Sequence, residues 1–186
     1  MTDAKAPVVP PVRVVMMGVS GCGKSTVGEG LAAQLGWRFV EGDSLHPAEN
    51  VAKMAAGQPL GDQDRAGWLE SLSARLAQAR SAGQGLVISC SALKRSYRER
   101  LRGGDPQVLF VHLSGSRELI AQRVASRKHR YMPASLLESQ FATLQPPSAD
   151  EQALALDVRL PPSVLIEAVA QHLQAQHLQA QTCPSP

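Results

Sequence analysis

Aromatic side chains are scarce in this chain of 186 residues: two Trp, two Tyr and three Phe amount to 4%. A core must then be built from Ala, Leu and Val, and the stacking platforms on which single-stranded nucleic acids lie are few. Trp37 and Trp68 stand in no basic–aromatic run. Cysteine is also rare. Cys22, Cys90 and Cys183 are odd in number and fit no zinc spacing, which argues against a disulfide framework and for a reducing compartment. No apolar run approaches the roughly 18–20 residues of a membrane span. The Pro-rich stretch from Met1 to Pro11 lacks the apolar middle of a signal peptide. The expectation is a cytoplasmic protein that engages neither membrane nor nucleic acid. Charge of one sign is not in excess either, since 19 Lys and Arg against 16 Asp and Glu leave a formal net charge of +3. That bias is too small to mark a nucleic-acid binder, but it suits a small anionic substrate.

What is present suffices for one folded domain, with 44% hydrophobic and 19% charged residues. Residues 1–11 read as a disordered leader, 12–173 as the domain and 174–186 as a low-complexity tail. Across the start of that tail His172-Leu173-Gln174-Ala175-Gln176 is copied in tandem as His177 to Gln181. Short β-branched runs at Val12–Met17, Arg38–Glu41, Leu86–Cys90, Val108–Leu113 and Ala153–Val158 read as strands. Helical spacing links Val27, Leu31 and Leu35 up to Gly36. A second helix is expected from Pro47 to Gly57 with Val51 and Met54 as its apolar face, and Gln58 to Asp64 reads as a loop. Further helices carry Trp68, Leu69, Leu72 and Leu76, then Leu93, Tyr97 and Leu101, then Leu119, Ile120 and Val124 after a capping Ser116. Ser135 to Leu144 and Ser163 to His172 complete the series. Strands alternating with helices predict an α/β fold with a mainly parallel sheet. Ligands of such sheets lie beyond the carboxyl ends of the strands. The stretches to watch are therefore Gly18 onward, Asp43, Ser91 onward and Ser114 onward.

Gly18-Val19-Ser20-Gly21-Cys22-Gly23-Lys24-Ser25 fits G-x-x-x-x-G-K-S/T, between a strand and a helix. Glycines let backbone N–H groups turn inward around phosphate oxygens, and the helix adds the positive end of its dipole. Lys24 can reach the β- and γ-phosphates, and the Ser25 hydroxyl can bind Mg²⁺. With Thr26 these residues form the ATP-binding stretch, in which Cys22 reads as a small spacer. A short chain, the lack of an N-K-x-D base-reading motif and a basic run (Arg123, Arg127, Lys128, His129, Arg130) favour a small kinase with a lid at about 123–145. Arg123 and Arg127 are spaced to share one helix face. The third strand ends without an acidic residue to hold a metal.

The stretches GVSGCGKST (18–26), EGDSLHPAENVAKMAAGQPLGDQDRAGWL (41–69), CSALKRSYRERLR (90–102) and HRYMPASLLESQF (129–141) resemble the gluconate kinases, relatives of the shikimate and adenylate kinases. The resemblance covers about residues 12–173. It implies a P-loop sandwich of about five parallel strands flanked by helices with a helical lid, and often a homodimer. It also implies transfer of the ATP γ-phosphoryl group to the 6-hydroxyl of D-gluconate. The family's acidic loop commonly reads D-D-D-R-x-P-W-L, whereas this chain has Asp62-Gln63-Asp64-Arg65-Ala66-Gly67-Trp68-Leu69.

A hydroxyl acceptor needs a carboxylate to orient it and take its proton. Asp43 is the candidate, with turn capping before Pro47 as its ordinary alternative. Lys24 and Arg127 join it as catalytic candidates, and Arg123 and Arg127 as lid contacts to phosphate. His46 is a candidate for substrate hydroxyls, equally well a surface histidine. Arg65, Lys94 and Arg95 are candidates for the acceptor's carboxylate, Arg65 first, with Arg98 as a further cation in the same region. Asp62 and Asp64 could position Mg²⁺ through water, although N-capping fits Asp64 better. Shikimate or a nucleoside monophosphate as acceptor, and an ATP-sensing or nucleic-acid-binding module without catalysis, remain as alternatives. Shikimate kinases carry Asp-x-Asp after strand two, whereas this chain has Asp43-Ser44-Leu45, which counts against shikimate but not against every polyol acid.

Overall fold

The computed structural model describes residues 9–126 and 134–182. Five strands, β1 (Arg13–Met17), β2 (Arg38–Glu41), β3 (Leu86–Ser89), β4 (Leu109–Ser114) and β5 (Leu154–Asp157), form one parallel sheet in the order β2-β3-β1-β4-β5. Parallel neighbours need crossovers. These are α1 (Lys24–Leu35), α2 (Ala48–Ala55), α3 (Asp62–Ser81), α4 (Arg95–Gly104), α5 (Arg117–Ala125) and α6 (Ala134–Thr143), with α7 (Pro162–Thr182) closing the chain.

Side chains alternate across β1. Val14 and Met16 enter an apolar cluster with Val27, Leu31 and Val169, while Val15 and Met17 enter another with Trp68, Leu72 and Phe110. A strand buried on both faces reads as a continuous apolar run, and all five β1 residues are buried. β2 lies at the sheet edge and is more open. At the N-terminus Val9 is buried and the Pro11 carbonyl accepts from Arg13.

Three expectations about elements change. α3 begins at Asp62, inside the expected loop, so Gly67 lies in its second turn. α5 ends at Ala125 with Ser126 as its C-cap, so Arg123 is in its last turn, and Arg127 lies outside the described residues. The α2 residues Val51 and Met54 line a cleft instead of the core, and Asn50 is the buried residue of that helix. Ser116 does cap α5, accepting from Leu119 N–H at 3.3 Å. α7 runs unbroken through both copies of the five-residue unit. Five residues advance about 140° beyond a full helical turn. Leu173 is accordingly buried and Leu178 is 61% exposed. No described helix is long and apolar enough to cross a membrane.

One ion pair ties the sheet's carboxyl end together. Arg98 of α4 is fully buried and donates to both oxygens of Glu151 at 2.6 and 2.8 Å, and to the carbonyls of Ala92 and Gln145 at 3.0 Å each. These bonds hold the Glu151 carboxyl down at about 2, against an ordinary 4.5. Its stabilisation is complete above the ordinary value and is lost as pH falls from 4.5 toward 2. Glu151→Gln leaves a buried guanidinium short of its counter-charge, and should cost about 3 kcal/mol near neutral pH. Urea unfolding across acid pH should show the variant losing the wild type's steep decline in that window.

Candidate active site

A cleft of about 410 Å³ opens beyond the carboxyl ends of β1, β2 and β3. Its floor is the loop between β1 and α1. Gly18, Gly21 and Gly23 hold φ of +135°, +87° and +102°, conformations that L side chains avoid. A Cβ on Gly21 would also sit 2.4 Å from the Val124 side chain. The Lys24 ammonium folds over the loop and donates to the carbonyls of Gly18 and Val19 at 3.0 Å each. Cys22 is buried beneath, as a spacer would be. The other described thiol, Cys90, has its pKa pushed up to about 12 by burial, which keeps it protonated and unreactive. Gln140 of α6 accepts from the Ser20 N–H at 2.7 Å and donates to its hydroxyl at 3.3 Å.

The end of β2 supplies two carboxylates, and the sequence reading found one. Glu41 accepts hydrogen bonds from the hydroxyls of Ser25 and Ser89. Ser89, buried at the end of β3, accepts in turn from the Gly42 N–H at 3.1 Å. Donor roles are therefore fixed along the chain of groups, and the Ser25 oxygen keeps its lone pairs for the cleft. The acidic residue absent from the end of β3 is replaced by one reached across from the neighbouring strand. Glycine at position 42 permits this, since a Cβ there would lie 2.0 Å from the Ser89 carbonyl oxygen. The signal was legible as Glu41-Gly42-Asp43, a carboxylate-x-carboxylate at a strand end.

Asp43 lines the cleft, and its carboxylate makes no hydrogen bond or ion pair with any described residue. His46 does not line it. Its ring stacks on Trp68 at 4.1 Å and meets the Asn50 amide at 3.4 Å, and burial lowers its pKa. Trp68 donates from its indole to the Gly42 carbonyl at 2.7 Å, fixing the turn that carries Asp43. Arg65 lines the cleft together with Leu60 and Met54.

Other cations expected at the site lie elsewhere. Lys94 pairs with Asp62 at 2.6 Å, and Arg95 pairs with Asp150 at 2.7 Å and Glu99 at 3.0 Å on the surface. Arg98 is consumed by Glu151. Arg123 donates to the Val158 carbonyl at 2.6 Å rather than facing the cleft, because the last turn of α5 packs on the segment following β5. The acids of the loop before α3 are held locally. Asp62 is held by Lys94 and Tyr97. Asp64 is held by Lys53 and by the Gly61 N–H, so it does cap its helix, from inside the first turn. His112 is buried within β4.

A family model described as an AAA domain matches residues 14–147. The gluconokinase of Gluconobacter oxydans is 51% identical over 165 residues, 89% of this chain and 93% of that protein. The chain belongs to the gluconokinase family. The thermoresistant gluconokinase of Escherichia coli is 45% identical over 149 residues, 79% of this chain and 85% of that protein. The crystal structure of a gluconokinase from Sinorhizobium meliloti superposes with a TM-score of 0.82 at 42% identity, covering 91% of this chain and 98% of that one.

No cluster of three or more His, Cys, Asp or Glu among the described residues could hold a metal by itself. An Mg²⁺ ion fits this member of the gluconokinase family in another way. Hard oxygen donors from Ser25, Glu41 and Asp43 meet at the cleft, and Mg²⁺ keeps waters and phosphate oxygens for its remaining positions. Glu41→Gln takes away the charge that orients the Ser25 hydroxyl. It should raise the Mg²⁺ concentration at half-maximal rate by about 10- to 100-fold. An unchanged Mg²⁺ titration would show that Glu41 serves only the strand junction.

Proposed function

We propose that the protein transfers the γ-phosphoryl group of ATP to the 6-hydroxyl of D-gluconate, giving ADP and 6-phospho-D-gluconate. The observation that carries this reading is the position of Asp43. An unengaged carboxylate stands at the end of β2, in the same cleft as the glycine loop, Lys24 and Arg65. The close likeness to gluconokinases along most of the chain supports the acceptor.

Each residue has a part in that chemistry. The loop from Gly18 to Ser25, through those backbone N–H groups not already bonded within the protein, and Thr26 in the first turn of α1 hold the phosphates. Lys24 moves from the loop carbonyls to the phosphoryl oxygens and offsets the charge that spreads over them in the transition state. Ser25, with Glu41 and Asp43 beside it, would hold Mg²⁺, which would offset the phosphate charge. Asp43 orients the acceptor hydroxyl and takes its proton as the new oxygen–phosphorus bond forms and the bond to ADP breaks. Arg65 pairs with the acceptor's carboxylate at the far end. The apolar lining of Val51, Met54, Leu60, Val124 and Leu136 excludes water that would otherwise compete as acceptor.

Asp43→Asn should lower kcat by about 10²- to 10⁴-fold while ATP still binds. Coupled measurement of ADP release together with nucleotide titration checks both halves, and near-normal turnover would refute the assignment. Across a panel of acceptors, the wild type should turn over D-gluconate faster than shikimate or a nucleoside monophosphate. The reverse order would overturn the choice of acceptor.

A further inference from the structure

Arg65 sits in an acidic turn and yet pairs with neither acid. It lies three residues after Asp62 on α3, a spacing at which ion pairs form along a helix, and directly after Asp64. Each of those carboxylates is instead held by a lysine from another element. Lys94, just before α4, donates to both oxygens of Asp62 at 2.6 and 2.9 Å, and the Tyr97 hydroxyl donates to the same group. Lys53 of α2 donates to Asp64 at 2.5 Å, and the Gly61 N–H takes its second oxygen at 2.9 Å. Arg65 itself is steered by weak contacts. Its Nε reaches the Leu60 carbonyl at 3.4 Å, and its guanidinium carbon lies 5.8 Å from the centre of the Tyr97 ring. No described acceptor bonds its two terminal nitrogens.

We propose that Lys94 and Lys53 are positioning residues that hold the two flanking carboxylates off Arg65, reserving its guanidinium for the carboxylate of the incoming acceptor. This rests on the reading of Arg65 as the acceptor's anchor, and it replaces the expectation that Lys94 touches the substrate. The electrostatics agree. Both acids are held below the usual carboxylate range, Asp62 first by its bonds from Lys94 and Tyr97 and Asp64 first by Lys53, with Arg65 a smaller contributor to each. Both are therefore ionised at neutral pH, and a lysine removed would leave an anion free to compete for Arg65. The arrangement sets a preference for anionic over neutral polyol acceptors without any further contact to substrate.

The test is steady-state kinetics in gluconate at saturating ATP on Arg65→Met, Lys94→Met, Asp62→Asn and the Lys94→Met/Asp62→Asn pair. Lys94→Met should raise the KM for gluconate about two- to five-fold, the range of an exposed ion pair, and change KM more than kcat. The increase should shrink as salt is added. Asp62→Asn placed on top should bring KM back toward the wild-type value. A double variant no better than Lys94→Met would mean that Lys94 meets the acceptor directly, and would sink the proposal. So would an unchanged KM in Lys94→Met when Arg65→Met has raised it. If Arg65→Met leaves KM unaltered, the anchor reading fails and this inference falls with it. Should Lys94→Met not fold, Lys53→Met with and without Asp64→Asn puts the same question to the other side of Arg65.

Discussion

The close approach of β2 to β3 at Gly42 governs the site. Because residue 42 has no side chain, the end of the edge strand can turn against the Ser89 carbonyl, and its two flanking carboxylates take different tasks. Glu41 points back into the hydroxyls of Ser25 and Ser89, while Asp43 is left facing the cleft. A larger residue at that point would push β2 outward and separate Glu41 from the phosphate loop. The indole of Trp68, bonded to the Gly42 carbonyl, holds the turn from its other side. One glycine thus links the sheet's register to the placing of two charges.

Much of this was legible in the residues. The glycine loop announced itself, because a cradle of backbone amides can be made in few ways and its Lys and Ser stand at fixed offsets. Strand order was not read from the residues, and the central place of β1 emerges only from the sheet. Asp43 was found from its place at a strand end. Glu41 escaped notice because a residue inside an edge strand reads as solvent-facing, and only the pairing of β2 with β3 reveals that its side chain lies between two hydroxyls.

Cations were the least legible part, for a physical reason. A lysine or arginine is long enough to serve several partners, and sequence spacing gives the reach without the choice. Arg95 and Arg98 differ by three positions, yet one ends on an exposed pair with Asp150 and the other in a sealed one with Glu151. Val51 and Met54 were misread similarly. Apolar residues at helical spacing imply a covered face, but here the opposing surface is a cleft wall. Arg123 was assigned by charge alone, whereas the carbonyl of Val158 was the nearer need.

The duplicated pentad in α7 shows what a repeat does when its length does not match the helix. A seven-residue unit would have returned each side chain to within about 20° of its predecessor and extended the buried seam. Five residues swing the copy round to the outside, as Leu173 and Leu178 demonstrate. The second copy therefore lengthens the rod without extending its packed seam.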